Sequence, residues 1–554
     1  MNPETLAEAL LAVLAPIAEE RRPGEPLGLT ASDIVLERPR NRDHGDWSSN
    51  IAMRLAKPFS TNPRELAQQI VDGLAVVDGV ASAEVAGPGF INIRLDAAAA
   101  GALAKVIVDA GTGYGTNSSQ EGVSVNVEFV SANPTGPLHI AHTRWAALGD
   151  SIVRLLLASG AHAVREYYIN DAGAQMDRFA GSVLAAAKGE PTPEGGYPGA
   201  YIATLADRVR EARPDLLQLP EEEQLAVALD LAYEFQLAEI KTSLDRFNVP
   251  FDVWFSERTL HAKDATGTSL IDQAVDRLRD QGHVFDDEGA VWVRTTDFGD
   301  DKDRVIRRSN GEYTYFAADA AYYLNKGDRG FQNKIYLLGA DHHGYVHRLK
   351  AIAGAAGEDP EKNVQVLIGQ MVSINGARLS KRAGNIIEMD DLLDWLGTDA
   401  LRYSLERSPA DSPLDLDPEL LQKRTNDNPV FYVQYAHART HNVARNAADS
   451  GVDRSEFAPE TLTHETEAAL LGALQEFPRI VAFAAEVREP HRVARYLEEL
   501  AGLYHRWYDN CRVIPQGDDP IESVHRTRLW LNDAAGQVFR NGLDLLGVSA
   551  PERM

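Results

Sequence analysis

Cysteine is nearly absent from this chain: one residue, Cys511, in 554. A single thiol closes no internal disulfide and builds no thiolate metal cluster, so stability must come from buried cores. Missing too is any unbroken apolar run near the roughly 18 residues that a membrane span needs. The start, "MNPETLAEALLAVLAPIAEERR", lacks the basic segment and small-residue cleavage site of a signal peptide. These absences lead us to expect a cytoplasmic protein without membrane contact. Basic charge is also short, with 55 Lys and Arg against 82 Asp and Glu, a net −27. That excludes a general nucleic-acid coat, whose affinity comes from phosphate contacts. It does not exclude local basic patches on an acidic body, because net charge governs solubility and steering and not fold. At 554 residues the chain outgrows a single core, so two to four domains are expected.

What is present begins with an amphipathic helix over 4–21, apolar at Leu6, Leu10, Leu14 and Ile17. Asn62 followed by Pro63 predicts a capped helix start. "VASAEVAGPGFINIRL" alternates and breaks at Gly87-Pro88-Gly89, the pattern of a strand pair. Residues 1–112 thus read as a small α+β domain, and the Gly-rich 109–122 as a linker. From 123 the text changes. "VSVNVEFV" alternates as a strand, a helix follows to Ser159-Gly160, and "AVREYYI" is the next strand. Strand, crossover helix, strand is the βαβ unit of a parallel sheet. A second such unit is predicted from "KIYLLG" (334–339) and "VQVLIGQM" (364–371), with a helix between. We place this α/β domain at 120–405, with a helical insertion at about 180–300, and an all-α bundle at 406–554.

In such sheets ligands bind beyond the carboxyl ends of the strands, where helix N-termini offer free N–H groups. "ANPTGPLHIAH" stands there. His139 and His142, three apart, share one face of the first helical turn and can meet the phosphates of a nucleotide. Alone, the pair could equally cap the helix. A second segment, "NGARLSKRAGNII" (375–387), follows the last strand and carries Lys381 beside Ser380 and Arg382, a cation for polyphosphate. His342, His343 and His347 could be read as a metal cluster, but no third ligand type accompanies them, so no protein-held metal is expected.

"HIAH" and "RLSKR" resemble the HIGH and KMSKS signatures of class I aminoacyl-tRNA synthetases. Together "VEFVSANPTGPLHIAHTR", "REYYINDAGAQ", "LGADHHGY", "RLSKRAGN" and "NPVFYVQYAHAR" resemble the bacterial arginyl-tRNA synthetases, and "GDWSSNIAMRLAK" extends the likeness to the N-terminal part. The resemblance implies a Rossmann-like catalytic domain that joins L-arginine to ATP as an adenylate and passes it to tRNA(Arg). Mg²⁺ would accompany the ATP, tRNA would bind before activation, and a monomer is expected. His139, His142, Ser380 and Lys381 would be catalytic. Pro134, Thr135, Gly136, Leu138, Ala141, Gly339, Asp341, His342 and Arg382 would line the ATP site. Glu128 and Asp319 would hold the guanidinium, a fork of donors that calls for carboxylates. Tyr315 would contact arginine, while Ser131 and Asn133 would hold its amino and carboxylate groups. Asn170, Asp171 and Gln175 would line the same crevice.

The chain departs from the signatures at Ala141, where HIGH has glycine, and at Arg378 and Leu379 in the later motif. An alanine methyl there alters how closely adenine approaches the backbone. The C-terminal bundle resembles an anticodon-binding domain, with Gln434, His437 and Arg439 expected at RNA or at the domain junction, and Tyr432 and Val433 in the core. Arg38, Arg40, Arg42 and Trp47 are expected at the tRNA elbow. Two other readings stand beside this one: a class I synthetase for another amino acid, and a non-catalytic tRNA-binding paralogue.

Overall fold

Four short strands open the chain: β1 (Leu36–Glu37), β2 (Trp47–Ser49), β3 (Val80–Ala86) and β4 (Phe90–Leu95), an antiparallel sheet in the order β1-β2-β4-β3. The computed structural model describes residues 3–39, 44–340, 343–375 and 387–554. Helices Pro3–Arg21 and Pro63–Leu74 cover the sheet. The second starts where Asn62 Oδ1 accepts from the Arg64 amide at 2.8 Å, with Pro63 in the first turn. Trp47, Ile51, Ile70, Ile91 and Ile93 form its core.

The Gly-rich stretch after this domain does not hang free. The Tyr114 hydroxyl donates to Leu474 O at 2.8 Å, and Asn541 Nδ2 donates to the carbonyls of Gly111 and Tyr114 at 3.0 and 2.8 Å. At Gly115, φ is 105° and a Cβ would stand 2.4 Å from the Phe477 ring. Only glycine lets the chain lie this close to the bundle.

The central sheet takes β5 (Ser124–Glu128), β6 (His162–Ile169) and β7 (Val253–Ser256). A separate antiparallel sheet follows, β8 (Val284–Asp287), β9 (Ala290–Val293) and β10 (Arg304–Arg307). Then β11 (Asn333–Gly339) and β12 (Val364–Gly369) complete the first sheet, all parallel in the order β12-β11-β5-β6-β7. β5 is central and covered on both faces: Val125, Asn126 and Val127 have no exposure. The crossover helix Ile140–Ala158 lies so close that a Cβ on Gly149 would sit 2.2 Å from the Phe129 ring.

The insertion is helical through Ala174–Lys188, Ala200–Ala212 and Glu221–Arg246, which share a core of their own. Beyond Arg246 the expectation of helices to about 300 gives way: the chain returns to the sheet as β7 and then builds β8–β10. The four residues of β7 are all half-buried, so an edge strand leaves no alternation to read. Short strands β13 (Val372–Ile374) and β14 (Leu414–Leu416) pair in parallel.

Four long helices, Pro429–Asp449, Glu465–Val487, His491–Asn510 and Ser523–Leu545, form the C-terminal bundle. Glu465–Val487 is apolar and long enough to cross a membrane by composition; here Leu470, Leu474, Phe477 and Val481 are buried core. A buried guanidinium joins bundle and sheet. Arg402 donates to Asp150 Oδ2 at 2.8 Å, to Asn248 O at 2.9 Å and to Leu546 O at 2.9 Å. Beside it burial pushes the Glu406 carboxyl up to about 8, against the pull of Arg402.

Candidate active site

The chain leaves β5 through two strained residues, Val130 (φ 67°) and Ser131 (φ 38°). Left-handed backbone at a β-branched valine is costly and persists where the surroundings over-determine it. Here the Tyr167 hydroxyl donates to Ala132 O at 2.9 Å, and the Tyr168 amide donates to Ser131 Oγ at 3.0 Å. Ser131 thus spends an acceptor on the neighbouring strand and keeps its hydroxyl proton for another group.

The turn continues past Asn133, which is exposed, to the buried Pro134 and Thr135. Tyr201, from the helical insertion, donates its hydroxyl to Thr135 O at 2.9 Å and packs 3.4 Å from where a Gly136 Cβ would be. Leu138 is buried and its carbonyl accepts from the Met389 amide at 2.8 Å; the Ile140 amide donates to Ile387 O at 3.2 Å. So the residues just after the second motif are stitched to the first. One turn further along the helix Arg144 ties the chain just before that motif to residues 409–412, donating to Gln370 O, Pro409 O and Ser412 O at 3.1, 2.9 and 2.9 Å. Burial lowers its pKa to about 10.

His139 caps this helix and its amide donates to His142 Nδ1 at 3.3 Å; the two rings lie 3.8 Å apart. Ala141 between them is exposed. Gly339, expected at the ATP site, is half-buried at the end of β11. Asp341, His342, Ser380, Lys381 and Arg382 lie outside the described residues.

Next to the turn is a cluster of carboxylates. Glu128 ends β5, and its Oε2 accepts from Lys326 Nζ at 2.6 Å. Burial pushes Asp319 up to about 7; the Tyr345 hydroxyl opposes this, while the charges of Glu257 and Glu128 reinforce it. Burial likewise pushes Glu257 up to about 7, against a hydrogen bond from Tyr168. Tyr168, on β6, feels all three carboxylates. Glu257 went unread in the sequence because it sits just past β7, the strand that periodicity missed.

Other expectations need correction. Tyr315 opens its helix and is 76% exposed, whereas Asp319, one turn on, is buried. Asp171 lines no crevice: it is buried, accepting from Ser256 Oγ at 2.6 Å and Tyr233 Oη at 2.8 Å, and so fastens the insertion to β7. Gln175 bonds Asn170 at 2.6 Å. Gln434 takes the second of the two places expected of it, the domain junction, and His437 is buried within the bundle. Gln434 donates to Asp399 Oδ2 and Ser549 O at 2.8 and 2.9 Å, and His437 donates to Pro551 O at 2.9 Å; both are buried. Burial lowers the pKa of His437 to about 4. Arg38 bridges domains, bonding Gln475 and Glu476 at 2.7 and 3.2 Å above the buried Trp47. Arg40 and Arg42 lie outside the described residues.

Two features of the bundle suit RNA. Arg439 lies over the rings of Tyr435 and Tyr508, 4.7 and 4.8 Å from their centres. A cavity of about 650 Å³ between Thr398–Glu406 and Pro429–Asp449 is walled by Lys423, Arg424, Phe431 and Arg553, which join cations to an aromatic face.

Comparison with known proteins covers each of these parts. Residues 2–95 match the family model "Arginyl tRNA synthetase N terminal domain", 103–442 match "tRNA synthetases class I (R), catalytic domain", and 433–554 match "DALR anticodon binding domain". The arginine–tRNA ligases of Renibacterium salmoninarum and Paenarthrobacter aurescens are 64% and 63% identical, each aligned over all of both chains. The solved arginyl-tRNA synthetase of Thermus thermophilus shares the fold, with a TM-score of 0.73 over all of both chains at 23% identity. Identity of 64% along the whole length leaves no part outside this likeness, and the chain belongs to the class I arginyl-tRNA synthetases, an arginine–tRNA ligase family.

Proposed function

We propose that the turn after β5 and the acidic pocket beside it form the arginine-activating centre. The carboxylate of arginine attacks the α-phosphorus of ATP, pyrophosphate leaves, and the adenylate is then attacked by a hydroxyl of the terminal ribose of tRNA(Arg), releasing AMP. No protein nucleophile is needed; positioning and charge stabilisation carry the first step. His139 and His142 meet the phosphates, joined by Lys381 and Ser380, and Mg²⁺ carried in with the ATP would neutralise charge on the departing pyrophosphate. Pro134, Thr135, Gly136 and Leu138 act through backbone and shape, since two of their carbonyls are already bonded. Ala141 and Gly339 border the nucleotide, with Asp341, His342 and Arg382. Glu128 and Asp319 take the guanidinium, and Ser131 and Asn133 the amino and carboxylate ends.

One observation carries this: a histidine-capped helix and a set of carboxylates converge at the end of the central strand of a parallel sheet, where substrates bind. The bundle cavity and the Arg439 platform take the anticodon loop. We place the enzyme in the cytoplasm as a monomer.

The test is arginine-dependent exchange of labelled pyrophosphate into ATP, with and without tRNA(Arg). Exchange only with arginine and tRNA together supports the scheme. Exchange driven by another amino acid, or none while tRNA still binds, defeats it.

A further inference from the structure

Lysine is almost never buried without a partner, yet Lys326 has no exposure. It lies on helix Tyr315–Asp328, seven residues after Asp319 and so two turns along the same face. Its ammonium donates to Glu128 Oε2 at 2.6 Å and sits 4.1 and 4.4 Å from the ring centres of Tyr336 and Tyr322. The two rings take up the remaining faces of the cation.

The neighbouring carboxylates are served differently. Glu166 receives both arms of Arg329, at 2.6 and 2.8 Å, and the Tyr322 hydroxyl at 2.5 Å. Glu358 receives Lys334 on both oxygens, at 2.8 and 2.7 Å. Those are closed pairs. Glu128 is half closed: one oxygen holds Lys326, and Oε1 has no hydrogen-bond partner among the described residues.

We propose that Lys326 is a positioning residue for arginine recognition, an internal cation that grips one oxygen of Glu128 so that the other faces the substrate guanidinium. The inference rests on the reading of Glu128 as a guanidinium ligand. A carboxylate at the end of a strand rotates freely about its last bonds, and fixing one oxygen by a short charge-assisted bond sets the direction of the other. A compact point charge can settle on a single oxygen, as Lys326 does here, where the planar guanidinium fork favours engaging both, as Arg329 does on Glu166. Without the ammonium, Glu128 would be a poorly solvated charge free to turn away from the substrate.

The experiment compares Lys326→Met, close in volume, with Glu128→Gln and the double variant, measuring KM for arginine and kcat in tRNA-dependent pyrophosphate exchange. Lys326→Met is expected to raise KM for arginine about thirtyfold, the effect of leaving one buried charged group unpaired. KM for ATP should stay within about twofold, because the phosphate site is not touched. The double variant should match Glu128→Gln alone, since Lys326 acts through Glu128. An unchanged KM for arginine in Lys326→Met, with Glu128→Gln impaired, overturns the inference and spares the pocket reading. An unchanged KM in Glu128→Gln overturns the pocket reading itself. If Lys326→Met does not fold, the double variant, which leaves no unpaired charge, decides. A KM equal to that of Glu128→Gln supports the inference, and a further large rise overturns it.

Discussion

Burial pushes the carboxyls of Asp319 and Glu257 each up to about 7. A guanidinium binds the ionised forms, so KM for arginine should fall as pH rises from about 6 to 8, by up to tenfold per unit for each group below its pKa. Exchange kinetics across that range test this, and an Asp319→Asn variant should have both a high KM and a flatter profile. The same shift acts on stability with the opposite sense. A carboxyl whose folded pKa exceeds its unfolded 3.8 keeps its proton in the folded state, so the empty protein loses stability as pH climbs from about 4 to about 7. Asp319→Asn should therefore melt higher than the parent at pH 8 without arginine, and not at pH 4; a lower melt at pH 8 would refute the assignment. Asp319 was singled out by the resemblance alone. Glu257 and Lys326 were not, because burial and partners decide their chemistry and neither stands in a recognisable pattern.

Helices and central strands were legible because each repeats a physical period: apolar alternation gave β5, and the Asn-Pro pair gave a helix start. What escaped were contacts between elements. Gly149 and Gly369 look like ordinary glycines in sequence, yet Cβ atoms there would stand 2.2 Å from the Phe129 ring and 1.1 Å from the Trp145 ring. Gly149→Ala should cost about 1–3 kcal/mol in denaturant unfolding, the usual penalty for overpacking, with partial rescue by Phe129→Leu. Arg144 was likewise invisible, being one more basic residue in a helix. Arg144→Met leaves three carbonyls without their donor, at a cost of about 3 kcal/mol. It should also slow exchange turnover, since both chain segments that flank the second motif are fastened to this helix. Normal turnover in a folded Arg144→Met protein would remove that role.

At the scale of the molecule, the three-part division was readable from changes in composition and period, but how the parts lock was not. For Gln434 and His437 the sequence left RNA and the domain junction both open, because periodicity does not say what covers a polar side chain; here the segment after the last helix covers them. The lock has a pH signature. Glu406 holds its proton up to about 8, so stability should decline as pH rises from about 4.5 to about 8. Glu406→Gln should flatten that decline in urea unfolding at pH 5 and 8.5, and a parent curve already flat would exclude it. The lock also sets a timetable. Arg402 needs the carbonyl of Leu546, and a ribosome adding roughly 5–20 residues per second takes on the order of ten to thirty seconds to travel between them. During that interval the newborn catalytic part carries a buried-to-be cation with its seat unfilled. Synthesis can lay down the sheet early, but the enzyme closes only when the last turn of the bundle has been translated.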